Sequence, residues 1–269
     1  MTDSSYAEIK SWWSPFDAKV GDSVLYTLGP VRLFIEHLYE ELVIRWTSSG
    51  QPEQSTVQLV RQVANPLGDE NVHLQRCAIG QSGMTLKVHP HLPARPVVVR
   101  PAIPFWVHGH RSVDIFVSTP LSLRLMDATT MQHVLEVSTI QLPLTWFGPN
   151  PRDGEVCFAS LTQARLDPLK LLIHPVRAIT RVTIDNRHRE PVRVERLKLP
   201  APLLDLYTNQ DHQIWTNAIT LVRRESGQSA QLKLRKPAGL STAKFEHLTS
   251  SHLDTQSNLI ERALNRLIG

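Results

Sequence analysis

Apolar and polar residues alternate with a period of two along most of the first 236 positions. The alternation is clear in VRLFIEHL (31–38) and ELVIRWTS (41–48), which flank Tyr39-Glu40 and predict a hairpin. Between residues 84 and 127, short β-branched runs are interrupted by prolines, which predicts a series of short strands with well-marked ends. The pattern therefore indicates an all-β protein.

A second hairpin is predicted within AITRVTIDNRHREPVRVERLKLP (178–200). Val182 and Ile184 would face one side of the sheet. Asn186 to Glu190 would then turn the chain, so that Val192 and Val194 return on the same apolar face. A shift of one residue would place the valines in water, so the alternation predicts the register as well as the strands.

The order of the predicted elements indicates the architecture. No region alternates strands with long amphipathic helices, which argues against a parallel α/β sheet. Short strands with frequent turns, in a chain of 269 residues, instead predict two antiparallel β-sandwich halves of an immunoglobulin-like or jelly-roll-like type. The predicted domains are residues 1–136 and residues 137–236, followed by a linker and an amphipathic helix over 237–269.

The tail of the chain has a different pattern. A proline-glycine break at 237–239 begins a polar linker, and SHLDTQSNLIERALNRLIG (251–269) then has apolar residues at helical spacing. A helix of this kind covers either its own sandwich or another subunit or partner, and both interpretations remain open. Its predicted apolar face consists of Leu253, Leu259, Ile260, Ala263, Leu264, Leu267 and Ile268.

Composition bounds the class of protein. The chain is 41% hydrophobic and 20% charged, which is typical of a globular protein, and its 19 prolines against 12 glycines favour strands over helices. Its two cysteines, Cys77 and Cys157, do not make a disulfide framework for this length. The N-terminus has no apolar run of signal-peptide length, and no run is long enough to span a membrane. We therefore expect a soluble cytoplasmic protein with no integral membrane segment.

Positive charge is concentrated in the second half of the chain. The net charge is +4, and residues 176–236 hold 12 basic and 6 acidic residues. Such a stretch can attract nucleic acid or another acidic partner, or it can consist of arginines spread over solvated strand faces. Because basic patches are common on proteins that bind no polyanion, we favour the second interpretation.

Two His-X-His pairs are the candidates for metal binding. His89 and His91 are two residues apart, as are His108 and His110, and in a strand such pairs project from one face. The glycine between His108 and His110 instead favours a turn, and the proline between His89 and His91 favours a strand end. We therefore predict no metal site and no cofactor.

Cys157 is a candidate nucleophile. No nearby motif supplies the histidine or helix N-terminus that would lower the pKa of its thiol, and the apolar strand pattern around it is typical of a buried, inert cysteine. The sequence also has no nucleophile elbow, phosphate-binding loop, dinucleotide fingerprint or zinc-protease motif. We therefore predict no catalytic residue.

The segment TWFGPNPRDGEVCFAS (145–160) combines aromatic, charged and turn-forming residues. Its glycines, prolines and aspartate signal two turns, which favours a rigid connector between two strands. The other interpretation is a contact surface with aromatic and arginine side chains, of the kind enriched at interface hot spots. The candidate interaction residues of this segment are Trp146, Phe147, Arg152, Asp153 and Glu155.

Five stretches are distinctive as a set: SWWSPF (11–16), GPVRLFIE (29–36), RPVVVRPAIP (95–104), TWFGPNPRDGEVCFA (145–159) and DNRHREPVRVERLKLPAP (185–202). Together they resemble an uncharacterised prokaryotic all-β family that is catalogued only as a domain of unknown function. The resemblance extends to about residue 225 and brings no assigned catalytic residue with it. It implies a role beside mechanosensitive channels of the small-conductance type, since members tend to be encoded next to them.

The leading functional hypothesis is a non-enzymatic binding or assembly protein, such as a cytoplasmic accessory subunit of a membrane channel. A carbohydrate-type ligand binder or hydrolase is the alternative, in which Trp146, Arg152, Asp153 and Glu155 would line a cleft. Nucleic-acid binding through the basic second half is a further alternative. The leading hypothesis implies a protein partner, and sheet edges or the tail helix would also allow a homo-oligomer.

Overall fold

The computed structural model of the chain describes residues 7–8, 11–48, 54–68, 70–79, 83–148, 150, 152–171, 173–224, 230–237 and 244–253. These residues form an all-β protein, which confirms the predicted class. The helical pieces among them are two short 3-10 turns, Pro168–Lys170 and Ala201–Leu203. No helix in this part of the chain is long and apolar enough to cross a membrane.

The strands in chain order are β1 (Ala7–Glu8), β2 (Phe16–Lys19), β3 (Ser23–Leu28), β4 (Val31–Leu38), β5 (Glu41–Thr47), β6 (Val57–Arg61), β7 (His73–Ala78), β8 (Gly83–His91), β9 (Val97–Val99), β10 (Phe105–Val107), β11 (Arg111–Pro120) and β12 (Ser122–Asp127). They continue with β13 (His133–Ser138), β14 (Leu144–Phe147), β15 (Glu155–Ala159), β16 (Arg177–Asn186), β17 (Val192–Val194), β18 (Leu197–Leu199), β19 (Leu206–Thr208), β20 (Ile214–Thr216), β21 (Ala218–Arg223), β22 (Ala230–Arg235) and β23 (Glu246–Thr249).

The chain divides into two compact units, and each is assembled from separate segments. The first unit contains Met1–His91, Leu121–Ile140 and His174–Val176, and the second contains Leu92–Pro120, Gln141–Ile173 and Arg177–Gly269. The sequence predicts contiguous halves instead, at 1–136 and 137–236. The difference arises because β9, β10 and β11 pair with strands that come much later in the chain.

The first unit has two antiparallel sheets. One has the order β1-β6-β3-β4-β5-β7, and the other has the order β13-β12-β8-β2. β4 pairs with β5, with Leu38 opposite Glu41, so the predicted hairpin around Tyr39-Glu40 is confirmed. Phe16 of the second sheet packs edge-on against Tyr26 of the first, with ring centroids 5.9 Å apart, so the two sheets share one apolar core.

The second unit is organised around β16. The sheet that contains it has the order β22-β21-β16-β20-β19-β23, and β11 also pairs with β16. That antiparallel pair runs from Arg111 opposite Asn186 to Pro120 opposite Arg177. A smaller sheet has the order β14-β15-β9-β18, and β10 pairs with β17.

The predicted hairpin over 178–200 is wrong in its pairing. Its strands exist and alternate as predicted, since Val182 is 1% exposed and Ile184 and Val194 are 0% exposed. However, β17 pairs with β10, while β16 pairs with β11, β20 and β21. The alternation identifies which residues face the core, but it does not identify the neighbouring strand.

The sequence predicts purely antiparallel halves, but the second unit also contains parallel strand pairs. β15 is parallel to β9, and β16 is parallel to β20 and β21. A parallel sheet is recognised in a sequence by the helices that connect its strands. Here the intervening segments contain strands and loops, so that signal is missing.

Part of the predicted polar linker is a strand. β23 pairs with β19, and the preceding Phe245 packs edge-on against Trp215 with ring centroids 5.7 Å apart. The Ser251 backbone N–H then donates to Asp205 Oδ1 at 2.9 Å. Residues 244–251 are therefore attached to the second unit.

The predicted tail helix falls almost entirely outside the described residues. Leu253 is described and is 55% exposed. The remaining residues of its predicted apolar face lie outside the described part of the chain, namely Leu259, Ile260, Ala263, Leu264, Leu267 and Ile268.

Candidate functional site

The segment with the richest chemistry forms a hairpin. β14 and β15 pair antiparallel, with Leu144 opposite Phe158 and Trp146 opposite Val156. Because successive residues of a strand project to opposite faces, these four apolar residues share one face of the hairpin. We call this face, made of Leu144, Trp146, Val156 and Phe158, the outer face.

The outer face exposes an unusual amount of apolar side chain. Leu144 is 64% exposed, Trp146 and Val156 are each 40% exposed, and Phe158 is half-buried. Single exposed apolar residues are common on soluble proteins, but neighbouring ones indicate a contact surface. A tryptophan within such a group is the residue type most enriched at interface hot spots.

The opposite face of the hairpin, the inner face, is packed. Phe147 and Cys157 form a cluster with Val98 of β9, and Cys157 is 0% exposed. Burial, reinforced by the nearby Glu155 carboxylate, raises the pKa of the Cys157 thiol to about 11. The thiol therefore stays protonated near neutral pH, which is the opposite of what a nucleophile requires.

Two cations at and just before β18 cover the inner face. The Arg196 guanidinium lies 4.9 Å from the centroid of the Phe147 ring, and the Lys198 ammonium lies 5.8 Å from it. Lys198 also forms a salt bridge with Glu155, and its side chain is only 6% exposed. Glu155 is therefore engaged in holding β15 to β18, since Lys198 belongs to β18.

The loop of the hairpin is fixed by Asn150. Its Oδ1 accepts hydrogen bonds from the backbone N–H groups of Arg152 and Asp153, both at 2.8 Å, and its Nδ2 donates to Asp153 Oδ2 at 2.8 Å. The Trp146 indole N–H donates to the Asn150 carbonyl oxygen at 3.1 Å, which ties the exposed tryptophan to the loop. A Cβ on Gly154 would lie 2.7 Å from the Trp146 ring, so only glycine permits this approach.

The predicted candidates of this segment are therefore divided between two faces and the loop. Trp146 lies on the outer face, and the exposed Arg152 and the hydrogen-bonded Asp153 lie in the loop. Phe147 and Glu155 lie on the inner face. The carbohydrate hypothesis requires Trp146 and Glu155 to line one cleft, but the register places their side chains on opposite faces of the hairpin.

Leu144 and Val156 complete the outer face, and sequence reasoning overlooked both. The available signal was the alternation of Leu144 and Trp146 before the loop, and of Val156 and Phe158 after it. Once the two turn signals define a hairpin, this alternation pairs the four residues across the strands.

The histidine pairs do not complete a metal site. His89 Nδ1 lies 3.4 Å from His91 Nε2, so the two rings share one face, and Arg124 Nη1 lies 3.5 Å from the same His91 atom. Among the described residues, no three His, Cys, Asp or Glu side chains converge to hold a metal ion. His108 and His110 lie in the turn between β10 and β11, where His110 has a φ of 56°.

The basic second half carries many internal ion pairs. Arg181 pairs with Asp114 at 2.6 Å, Arg187 with Asp185 at 2.8 Å and Arg193 with Glu195 at 2.7 Å. Each of these carboxylates offsets the charge of one arginine of the basic stretch. The pairing weakens the hypothesis of nucleic-acid binding, which depends on unopposed cations that replace the counterions of phosphates.

Comparison with known proteins identifies a family but no function. A family model described as "Protein of unknown function (DUF432)" matches residues 12–266, which confirms the resemblance to a domain of unknown function. The match extends about forty residues beyond the stretch in which the resemblance is visible by motifs. No curated protein and no solved structure matches the chain.

Proposed function

We propose that this chain, which belongs to the DUF432 family of proteins of unknown function, is a non-enzymatic binding or assembly protein. The observation that carries the proposal is the outer face of β14–β15, where Leu144, Trp146 and Val156 are exposed side by side. A partner that covers these side chains removes apolar surface from water, which is the main favourable term in association.

The hairpin is organised in advance for such contact. The Asn150 hydrogen bonds hold the loop, and the Phe147–Cys157–Val98 cluster holds the inner face. A rigid surface loses little conformational entropy when it binds, so more of the contact energy contributes to affinity. The same features that make the segment a connector therefore make it a suitable contact surface.

The wider proposal concerns the setting of this surface. We take the two units as sandwich-type scaffolds of a cytoplasmic accessory subunit, and the motif resemblance favours a small-conductance mechanosensitive channel as the partner. An amphipathic helix over 253–268 would provide a second contact with that partner or with another copy of the chain. The exposure of Leu253 at the start of that segment is compatible with this role.

The test compares co-purified proteins from the native host under mild detergent. The variant L144S/V156S removes two apolar side chains of the outer face and leaves the loop hydrogen bonds in place. The matched control is L74S, because Leu74 is 57% exposed on β7 of the first unit. We expect at least one protein to co-purify with wild type and L74S and to fall about tenfold with L144S/V156S, since burial of two such side chains contributes more than 1 kcal/mol.

Equal recovery of the same proteins with all three forms would contradict the outer face as a contact surface. Recovery of a specific partner that is not a membrane protein would support the outer face as a contact surface and contradict a channel as its partner. Thermal melting of each variant verifies that the second unit is still folded.

A further inference from the structure

A groove of about 310 Å³ lies in the second unit, and none of the described residues of the β14–β15 hairpin lines it. Its apolar lining includes Ile103, Phe105, Ile115 and Leu166, and two cations, Arg165 and Lys170, also line it. The volume is at the lower end of the range of small-molecule sites. The groove is thus large enough for a small ligand, and its lining has an apolar part and a cationic part.

The groove exists because one segment changes its pairing partner. Pro101 forms an isolated bridge with Ala164, and the Ala164 N–H donates to the Arg100 carbonyl at 2.8 Å. Only four residues later, Phe105 pairs with Val194 of β17. Residues 102–105 therefore diverge from the 164–166 segment, and the groove lies between these two parts of the chain.

Both walls of the groove are held by backbone hydrogen bonds. Arg165 and Phe116 exchange two of them, at 2.8 and 2.9 Å, which attaches the 164–165 segment to β11. The floor is fully packed, since Ile115 is 0% and Ala164 2% exposed. A site whose backbone is fixed on two sides does not need to be ordered when a ligand binds.

The apolar walls lie open to water. Ile103 is 79% exposed and Leu166 is 53% exposed, although both line the groove. Burial of these side chains under an apolar ligand chain is favourable by the same rule that drives core formation. The apolar part of the groove thus favours an aliphatic or aromatic ligand body.

Two cations, Arg165 and Lys170, and one carboxylate, that of Asp167, line the groove in the described part of the chain. Neither Arg165 nor Lys170 forms a salt bridge there. The neighbouring carboxylate of Asp167 accepts a hydrogen bond from the Leu169 backbone N–H at 3.0 Å. With two cations and one carboxylate, the charged side of the groove has a net positive charge and favours an anionic headgroup.

We propose that this groove binds a single amphiphilic carboxylate: a small molecule with an apolar chain or ring and one carboxylate headgroup. The chain lies against Ile103, Phe105 and Leu166 above the Ile115 floor. The headgroup lies between Arg165 and Lys170. The proposal concerns a ligand of this chain and is independent of the protein partner of the outer face.

The experiment uses decanoate as the probe and decyltrimethylammonium as a control with an alkyl chain of similar length and the opposite charge. Both are titrated as monomers into the full chain with labelled Ile and Leu methyl groups, so that Ile103, Ile115 and Leu166 report directly by NMR. We expect saturable shifts at these three residues with decanoate, with a Kd on the order of 1 mM for a ligand of this size. Decyltrimethylammonium should bind at least tenfold more weakly.

Two variants separate the headgroup from the groove. R165Q/K170Q should raise the Kd for decanoate about tenfold and lower the Kd for decyltrimethylammonium, because the two cations that attract the carboxylate and repel the ammonium are gone. A102W places a large ring at an exposed lining residue and should abolish the shifts, while the methyl spectrum of the remaining core stays as in wild type.

Three results would overturn the proposal. The first is equal affinity for the two probes, and the second is shifts confined to residues outside the groove or absent at all monomeric concentrations. The third is binding to vesicles of anionic phosphatidylglycerol without binding to monomeric decanoate, which would assign the cations to a membrane surface.

Discussion

Asn186 is the residue on which two loops of the second unit depend. It is 0% exposed, and its Nδ2 donates to the carbonyl oxygens of Val107, His108 and Glu190 at 3.0, 3.2 and 2.8 Å. Its Oδ1 accepts from the His188 backbone N–H at 3.2 Å. The side chain thus links the end of β16 to both the β10–β11 turn and the loop that precedes β17.

The first prediction follows from these bonds. N186A leaves the buried Val107 carbonyl and the part-buried carbonyls of His108 and Glu190 without their donor, so the free energy of unfolding should fall by about 1–3 kcal/mol. Urea denaturation measures this, with R152A as the control because Arg152 is an exposed residue of a different loop. A loss of less than about 0.5 kcal/mol would show that water satisfies these carbonyls equally well.

The sequence predicted Asn186 only as the first residue of a turn. Its bond from the His188 backbone N–H, two residues on, is of the local kind that asparagine makes in turns. Its bonds to Val107 and His108 join positions almost eighty residues apart. No local pattern indicates such a contact, so the importance of Asn186 becomes visible only in the fold.

The two cysteines should differ sharply in reactivity. Cys157 is buried with a pKa raised to about 11, while Cys77 is partly exposed on β7. We predict that a thiol reagent at pH 8 labels native wild type at Cys77 and leaves native C77S unlabelled, because a buried protonated thiol does not react. Labelling of native C77S as fast as in urea would contradict the packing of the inner face.

The raised pKa also has a consequence for stability. The unfolded chain loses the Cys157 proton at its ordinary pKa, near 9.0, whereas the folded protein retains it until about 11. The unfolded state therefore binds fewer protons in this range, and stability decreases as pH rises through it. C157S should remove this part of the alkaline destabilisation.

At the scale of elements, the best-predicted features are those with a local cause. The β4–β5 hairpin was predicted because Tyr39-Glu40 lies between two alternating runs, and neighbouring runs joined by a short turn pair with each other. The pairing of β17 with β10 was missed because its partner lies more than eighty residues earlier. β14 and β15 are also neighbouring strands joined by a turn, so their pairing, and with it the outer face, can be predicted from the sequence.

The contacts of β23 and the preceding Phe245 should contribute to the stability of the second unit. A chain that ends at residue 243 loses β23 and the contact of Phe245 with Trp215, whereas a chain that ends at 253 keeps both. We predict that the shorter chain melts several degrees lower, because the edge of β19 and an aromatic side chain become exposed to water. Differential scanning calorimetry of both truncations measures it, and equal melting temperatures would show that β23 contributes nothing.

For the whole molecule, the all-β class followed from composition and alternation, but the division into units did not. Each unit takes strands from distant parts of the chain, as when β9 pairs with β18 and β12 with β8. Alternation has the same period whichever neighbour a strand has, so it cannot assign strands to units. Counting charges in the sequence likewise identified the basic second half, but only the fold shows which of its arginines form ion pairs.

Crosslinking inside the native host shows directly whether the outer face of β14–β15 contacts a protein partner. Photoreactive benzoylphenylalanine is introduced at Trp146 and, as a control, at Tyr39, which is 75% exposed in the first unit. We expect a discrete adduct of higher mass from position 146 that is absent from position 39. No adduct from position 146, or the same adducts from both positions, would contradict this contact.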